Sequence, residues 1–298
     1  MLTEALTGRK VMTEKICKMT IFEAYGDIKS QLKEAQIEDY VFEAKQIIKY
    51  VTGYTNKEIL LNYTESLTDF QKDCMEAVLK ERLKRYPLQY ILGFWDFYGR
   101  RYKVGPGVLI PRQDTEIVAE TCIDLIKDVK NPKVLDLCAG TGCIGITLAA
   151  EKQDSLVTLA EKYPEPIAFL EENIKQNAPE NAKLLKGDVF EKIGSDEKYD
   201  LIVSNPPYVK SDEIAKLQPE VRFEPVSALD GGADGLDFYR FIAKEYKNSL
   251  KPGGRLVFEI GFDGADAVKN ILERSGYKNI TVKKDYYENE RVIFGTVD

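Results

Sequence analysis

The chain has 298 residues, 44% of them hydrophobic and 31% charged, the composition of a globular protein long enough for two domains. Lys and Arg number 42 against 49 Asp and Glu, and the net charge of −7 argues against a protein whose affinity comes from neutralising many phosphates. Histidine is absent, which excludes an imidazole base or a His metal ligand. No apolar run approaches the roughly 18 residues that span a bilayer. The opening MLTEALTGRKVMTEKICKMT lacks the apolar stretch of a secretory signal. Five cysteines (Cys17, Cys74, Cys122, Cys138, Cys143) are scattered without a CxxC pair, as reduced thiols would be. The expectation is a cytoplasmic protein with no membrane segment and no metal.

Residues 1–90 read as helices. Thr20-Ile21-Phe22-Glu23 has the pattern of a capping box, and Ala24, Ile28 and Leu32 follow at the spacing of one helix face. Val41, Ala44, Ile48 and Val51 repeat that spacing, as do Phe70, Cys74 and Val78 ahead of Pro87. Short amphipathic helices bury their stripes against one another, so a small bundle is expected. Residues 91–110, rich in aromatics and glycines, read as a β-hairpin connector. Arg100, Arg101 and Lys103 make the densest basic spot there, which a solvated turn explains equally well.

Residues 111–298 alternate strand-like and helix-like runs: KVLDL, GITLAAEKQ, LVTLAE, PIAFLEENIKQ, AKLLKGD, YDLIVSN, DFYRFIAKEYKNSL, GRLVFEI and ADAVKNILERSG. That alternation predicts an α/β domain with a mostly parallel, Rossmann-like sheet covered by helices on both faces. Two β-rich runs end the chain, and the last strand is expected to return antiparallel at an edge.

VLDLCAGTGCIG holds Gly140-x-Gly142-x-x-Gly145 between a strand and a helix, where glycines let the backbone approach a ligand. Alone this fits NAD, FAD or another nucleoside. Asp136, four residues earlier, opposes a pyrophosphate and suits a ligand with an ammonium group, while Glu161 ends the next strand where an acid accepts ribose hydroxyls. Together they fit S-adenosyl-L-methionine. In KGDVF, Asp188 is placed to accept from an adenine amine and Phe190 to pack on the ring.

SNPPYV ends an apolar run. Pro206 forces Asn205 into an extended conformation, and Pro206 and Pro207 have fixed φ and no N–H. The Asn205 side-chain oxygen and the Pro206 carbonyl can each accept one N–H of a planar amide or amine, with Tyr208 stacked on it. An amide nitrogen so held presents its lone pair in a third direction. A sulfonium methyl needs chiefly alignment, which supplies roughly 7–11 kcal/mol of barrier reduction without a strong base.

With these residues in place, the chain resembles the HemK family of peptide chain release factor glutamine methyltransferases from about Met19 onward. Family-like stretches outside the common elements are PLQYILGFWDFYG, LIPRQDTE and VRFEPVSALDGGADGLDFYR. The resemblance implies a class I S-adenosylmethionine-dependent methyltransferase with a seven-stranded sheet, preceded by a helical bundle and a hairpin that help grip the substrate. It implies as acceptor the glutamine side-chain amide of the Gly-Gly-Gln motif in bacterial class 1 release factors. By position Cys138, Ala139, Gly140, Thr141, Gly142, Glu161, Phe190 and Asn205 would contact the cofactor, and Asn205, Pro206, Pro207 and Tyr208 would hold the glutamine. Glu161 stands where the family more often has Asp, and the stretch after FEIG lacks a frequent glutamine. Residues 1–18 precede the usual family start and are expected to be an accessory extension or an upstream start.

Three other readings compete. A nucleic acid methyltransferase acting on an exocyclic amine of adenine or guanine poses the same chemical problem, but wants a basic surface and a base-reading domain. An NAD-dependent oxidoreductase would use the glycine turn alone. A non-catalytic release-factor-binding protein would be expected to have a broken motif, and none of these residues is broken.

Overall fold

The computed structural model describes residues 19–178 and 180–298, so the expectation for residues 1–18 lies outside the described residues. The chain divides after Lys84 into two compact units.

The first unit holds α1 (Ile21–Glu34), α2 (Tyr40–Thr52), α3 (Asn56–Leu61) and α4 (Asp69–Arg82). The capping box forms as expected: Glu23 N–H donates to Thr20 Oγ1 at 3.2 Å, and Thr20 N–H donates to the Glu23 carboxylate at 2.8 Å. Thr55 with Glu58 and Thr68 with Gln71 repeat it at α3 and α4. The core takes Ala24, Ile28 and Leu32 from α1 and Ala44, Ile48 and Val51 from α2, as the spacing predicts, with Ile47 in addition. Val41, however, is exposed. The expected stripe of α4 holds at Val78 alone: Phe70 is 80% exposed, Cys74 is half-buried, and the buried face is Met75, Val78, Leu79 and Arg82. Arg82 is buried because its guanidinium meets Glu43 of α2, Nε to Oε2 at 2.6 Å and Nη2 to Oε1 at 3.0 Å.

The second unit opens with α5 (Leu88–Leu92) and a hairpin, β1 (Phe94–Phe97) and β2 (Arg100–Lys103). Tyr98 and Gly99 at its tip both have positive φ, the conformation of a primed turn that matches strand twist. Then come α6 (Glu116–Ile126), β3 (Lys133–Leu137), α7 (Cys143–Glu151), β4 (Leu156–Glu161), α8 (Pro164–Asn177), β5 (Ala182–Lys186) and β6 (Tyr199–Ser204). The unit closes with α9 (Asp237–Glu245), β7 (Leu250–Glu259), α10 (Ala265–Arg274), β8 (Lys278–Lys284) and β9 (Glu290–Thr296). Of these, α6 carries no expectation from the sequence reading.

The main sheet has seven strands in the order β5-β4-β3-β6-β7-β9-β8, parallel through β7. The last strand does return antiparallel, but between β7 and β8 rather than at the edge. Burial explains the exchange: Val292 and Ile293 of β9 are fully covered, whereas β8 exposes Lys278, Asn279 and Lys284, and a charged strand is the one a sheet tolerates at its rim. Alternate residues face opposite layers. Val134, Val157, Leu201 and Val203 pack under α6, α7 and α8, while Leu135, Leu137, Ile202 and Phe258 pack under α9 and α10.

From β3 the strand order runs outward in both directions, so β3 and β6 flank the point where the topology reverses. Ligands of open α/β sheets bind in the crevice outside the strand ends there. Leu137 and Ser204 are in register, and Ser204 Oγ donates to the Leu137 carbonyl at 2.7 Å, locking the two ends together. Cys138 and Asn205 therefore leave the sheet side by side.

Candidate active site

The glycine turn is shaped by contacts a side chain would destroy. Gly142 has φ +81°, and a Cβ on it would lie 2.4 Å from Leu170 Cδ1 and 2.7 Å from Ile146 Cδ1. Gly145, in ordinary helical conformation, would place a Cβ 2.8 Å from Asp136 Oδ2 and 2.8 Å from Leu159 Cδ2. The turn is also tied from outside. Asn173 of α8, fully buried, donates to the Thr141 carbonyl at 3.0 Å and the Lys103 carbonyl at 3.1 Å, and accepts from Lys103 N–H at 2.7 Å. Its amide thus joins the hairpin, α8 and the glycine turn. An Asn inside an amphipathic helix gave no sign of this in the sequence.

Asp136 is 1% exposed, and Oδ2 accepts from Gly145 N–H at 2.9 Å. Burial pushes its carboxyl up to about 7; the Gly145 bond opposes this and the charge of Glu161 adds to it. Glu161, 7% exposed, accepts from Gly140 N–H at 3.0 Å through Oε2, and from Lys162 N–H at 2.8 Å and Tyr163 N–H at 3.0 Å through Oε1. A carboxylate has about four acceptor positions, so about one remains. The expectation of two ribose hydroxyls accepted by Glu161 therefore meets room for one without displacing backbone.

Asp188 accepts from Phe190 N–H at 2.9 Å and pairs with Lys162 Nζ at 2.7 Å. Burial works against ionisation, but Lys162 and the Phe190 N–H hold the carboxyl below its usual range. Phe190 is not a core residue: it is 42% exposed and leans on Phe238 and Phe241 with centroids 4.8 and 4.9 Å away. Cys138 has φ +60°, and burial pushes its thiol well up; the Cys143 thiol rises to about 12 for the same reason. Neither is a thiolate nucleophile. Both fill space beside the turn.

These residues line one cleft. Asp136, Cys138, Ala139, Gly140, Thr141, Glu161, Asp188, Phe190, Asn205 and Pro207 all border it; Gly142, Pro206 and Tyr208 do not. Asn205 lines the cleft, and among the described residues none hydrogen-bonds its side-chain amide. Pro206 and Pro207 are buried and in trans linkage. Tyr208 packs against the layer of Tyr239, Phe258 and Ile260, and burial raises its hydroxyl to about 12. In this arrangement the ring braces the corner from behind.

Sequence reasoning missed part of the cleft wall. Arg112 and Thr115 come from one segment, and Pro225, Ser227 and Ala228 from another. The signal was present, since LIPRQDTE and VRFEPVSALDGGADGLDFYR are the family-like stretches outside the common elements, but they obey no periodicity that assigns them a place.

The cleft encloses about 1020 Å³ of space, the open solvent at its mouth included. Its donor set suits a nucleoside carrying an amino acid better than a dinucleotide: three carboxylates line it, against the cations Lys162 and Arg112, each already paired with an acid. An exposed aromatic wall, an acid with an acceptor position left at a strand end, and a buried acid under the glycine turn fit adenine, ribose and ammonium in turn. Fold and cleft together define a class I S-adenosylmethionine-dependent methyltransferase.

Residues 113–220 match the family model described as Methyltransferase small domain, and residues 23–93 the one described as PrmC N-terminal domain. The release factor glutamine methyltransferase of Fusobacterium nucleatum is 39% identical over 264 residues, covering 88% of this chain and 75% of that protein. That of Clostridium acetobutylicum is 37% identical over 278 residues, covering 92% and 98%. The chain belongs to the release factor glutamine methyltransferase family. Among solved structures, a 16S rRNA N2 G1207 methyltransferase of T. thermophilus, in complex with AdoMet and guanosine, superposes with a TM-score of 0.50 at 20% identity, covering 69% of this chain and 50% of that one. At that identity the likeness is one of fold.

Proposed function

We propose that this cleft binds S-adenosylmethionine and that Asn205, with the Pro206 carbonyl, presents to it the side-chain amide of the glutamine in the Gly-Gly-Gln motif of a bacterial class 1 release factor. The observation that carries the reading is that Asn205, its side chain hydrogen-bonded by none of the described residues, lines the cleft beside the glycine turn at the topological switch of the sheet.

The cofactor supplies a methyl group on a positively charged sulfur, already activated for transfer. The chain's task is orientation. Phe190 offers the adenine a ring face, Glu161 and Asp188 accept from ribose and the adenine amine, and Asp136 offers a negative charge to the ammonium. The Asn205 oxygen and the Pro206 carbonyl hold the two amide hydrogens of the acceptor, each bond worth about 0.5–1.5 kcal/mol. Rigid φ angles at the two prolines keep that geometry without freezing rotors during the reaction. No basic residue is needed to activate the nitrogen, whose proton leaves after the methyl has arrived.

The helical unit is assigned to docking of the release factor, and the setting to the cytoplasm. Supporting a docking role, α3 buries none of its residues and leaves Leu60 and Leu61 74% and 69% exposed. No helix among the described residues is long and apolar enough to cross a membrane. The test is mass spectrometry of purified release factor after incubation with this protein and S-adenosylmethionine. One added methyl on the Gly-Gly-Gln peptide is the expected result; methyl transfer to nucleic acid alone would replace this reading with the exocyclic-amine one.

A further inference from the structure

The segment from Glu224 to Gly231 touches both halves of the site. At its start, the Glu224 carboxylate accepts from Ile110 N–H at 3.0 Å and pairs with the Arg112 guanidinium; its side chain is 1% exposed against 38% for Arg112. Burial raises the Glu224 carboxyl, opposed by Arg112 and the Ile110 N–H. Ile110 and Arg112 belong to the segment that carries Pro111, Arg112 and Thr115 into the cofactor cleft. At its end, the strap is bonded to the residue after the double-proline corner: Val209 N–H donates to Leu229 O at 2.8 Å, and Gly231 N–H donates to Val209 O at 2.9 Å. A Cβ on Gly231 would stand 2.7 Å from Tyr208 Cα and 2.8 Å from the Pro207 carbonyl, so backbone lies directly on backbone there. Between the two anchors, Pro225, Ser227 and Ala228 face the cleft.

A span that is pinned to the cofactor wall at one end and to the acceptor corner at the other sets the separation of the two. We propose that residues Glu224–Gly231 form a strap that fixes the spacing between the methyl-donor and methyl-acceptor subsites, with Glu224 as its positioning residue. This rests on the methyltransferase reading of the cleft given above, and it accounts for the VRFEPVSALDGG stretch, to which the transfer chemistry assigns no role. Glu224 touches neither reactant. It acts by anchoring one end of the strap in a buried place, where loss of the carboxylate leaves an amide N–H and a guanidinium unpaired. Misplacement of a reacting group by about 1 Å is enough to slow transfer about a hundredfold.

The two ends allow independent disturbance. Glu224→Gln keeps the shape and an acceptor for Ile110 but loses the ion pair; Glu224→Ala loses both; Gly231→Ala leaves the ion pair intact and presses on the corner. Wild-type protein is first assayed for methylation of release factor, and absence of transfer there would be a failure of the functional reading and not of the strap. The strap is then read in ligand-free protein by hydrogen exchange. Glu224→Gln is expected to speed exchange at Ile110 and also at Val209 and Gly231, as a merely local contact would not. In steady state, Glu224→Ala and Gly231→Ala are each expected to lower kcat by about tenfold to a hundredfold, with KM for release factor changed less than about threefold. Glu224→Gln is expected to fall between them and wild type. Exchange altered at Ile110 alone, or a folded Glu224→Gln and Gly231→Ala with wild-type kcat, would overturn the proposal.

Discussion

Gly145 N–H donates to Asp136 Oδ2 across 2.9 Å, and a Cβ on Gly145 would lie 2.8 Å from that same oxygen. The glycine and the acid are thus one device: the missing side chain lets α7 settle onto β3, and the settled amide holds the carboxylate under the turn. Gly145→Ala is expected to destabilise the protein by about 1–3 kcal/mol through overpacking against Asp136 and Leu159 and to weaken cofactor binding at the same time. Thermal unfolding together with calorimetric titration of S-adenosylhomocysteine checks both. A variant that keeps its melting temperature and its affinity would refute the coupling.

The same acid is expected to make cofactor binding depend on pH. Burial lifts the Asp136 carboxyl to about 7, so in the free chain it is largely protonated below neutrality. A ligand bearing an ammonium group favours the ionised form, and binding therefore expels a proton. Affinity is expected to rise as pH climbs from about 5.5 to 7.5, by at most about tenfold per unit, and to level off above. Titrations in buffers of different ionisation enthalpy measure the released proton directly, and Asp136→Asn should abolish the slope.

Asn205→Ala separates holding from binding. The cofactor keeps the glycine turn, Glu161 and Phe190, so its affinity is expected to stay within about tenfold, while transfer falls by roughly two orders of magnitude or more with loss of the orienting amide. Single-turnover rates at saturating cofactor distinguish the two effects. Equal transfer by mutant and wild type would remove Asn205 from the mechanism.

Glu259 gives a stability signature of definite sign. It is 2% exposed at the end of β7, and burial raises its carboxyl to about 7, although Arg291 and Arg112 pull it down and Asp114 pushes it up. Unfolded, it titrates near 4.3. The folded form binds more protons between those values, so the stability this group contributes is full below about 4.3 and is lost as pH rises through about 7. Glu259→Gln carries no such penalty. Its melting temperature relative to wild type should improve steadily from pH 4.5 to 7.5 and then hold constant; a difference independent of pH would contradict the assignment.

What could be read from the residues alone follows from how local each signal is. The glycine turn, the strand-end acids and the double-proline segment are short stretches whose chemistry is written in neighbouring residues, and the sheet brings most of them to one cleft. The strand order at the C-terminal edge was not read, although the lysines of β8 against the apolar Val292 and Ile293 of β9 mark which strand stays at the rim. Nor was the wall of Arg112, Thr115 and Ser227, which depends on a Glu224 contact across more than a hundred residues. In α4 the misreading is most instructive: Phe70 looked like core and is solvent-facing, while Arg82, which carried no expectation, is buried, because its partner Glu43 sits on another helix.

That pair supports the last prediction. Arg82 is 2% exposed and meets Glu43 through two parallel contacts, a geometry in which guanidinium and carboxylate satisfy one another as they leave water. Removing the acid takes both of these contacts from a buried guanidinium, and broken buried pairs of this kind cost about 3–5 kcal/mol. Glu43→Ala should therefore unfold the helical unit at lower temperature, whereas replacing Glu43 and Arg82 together by Leu and Met should restore most of the loss, since apolar packing removes the desolvation cost along with the pair. Calorimetry resolves the outcome: a single mutant as stable as wild type, or a double mutant no better than the single, would show that the pair is not what holds α2 against α4.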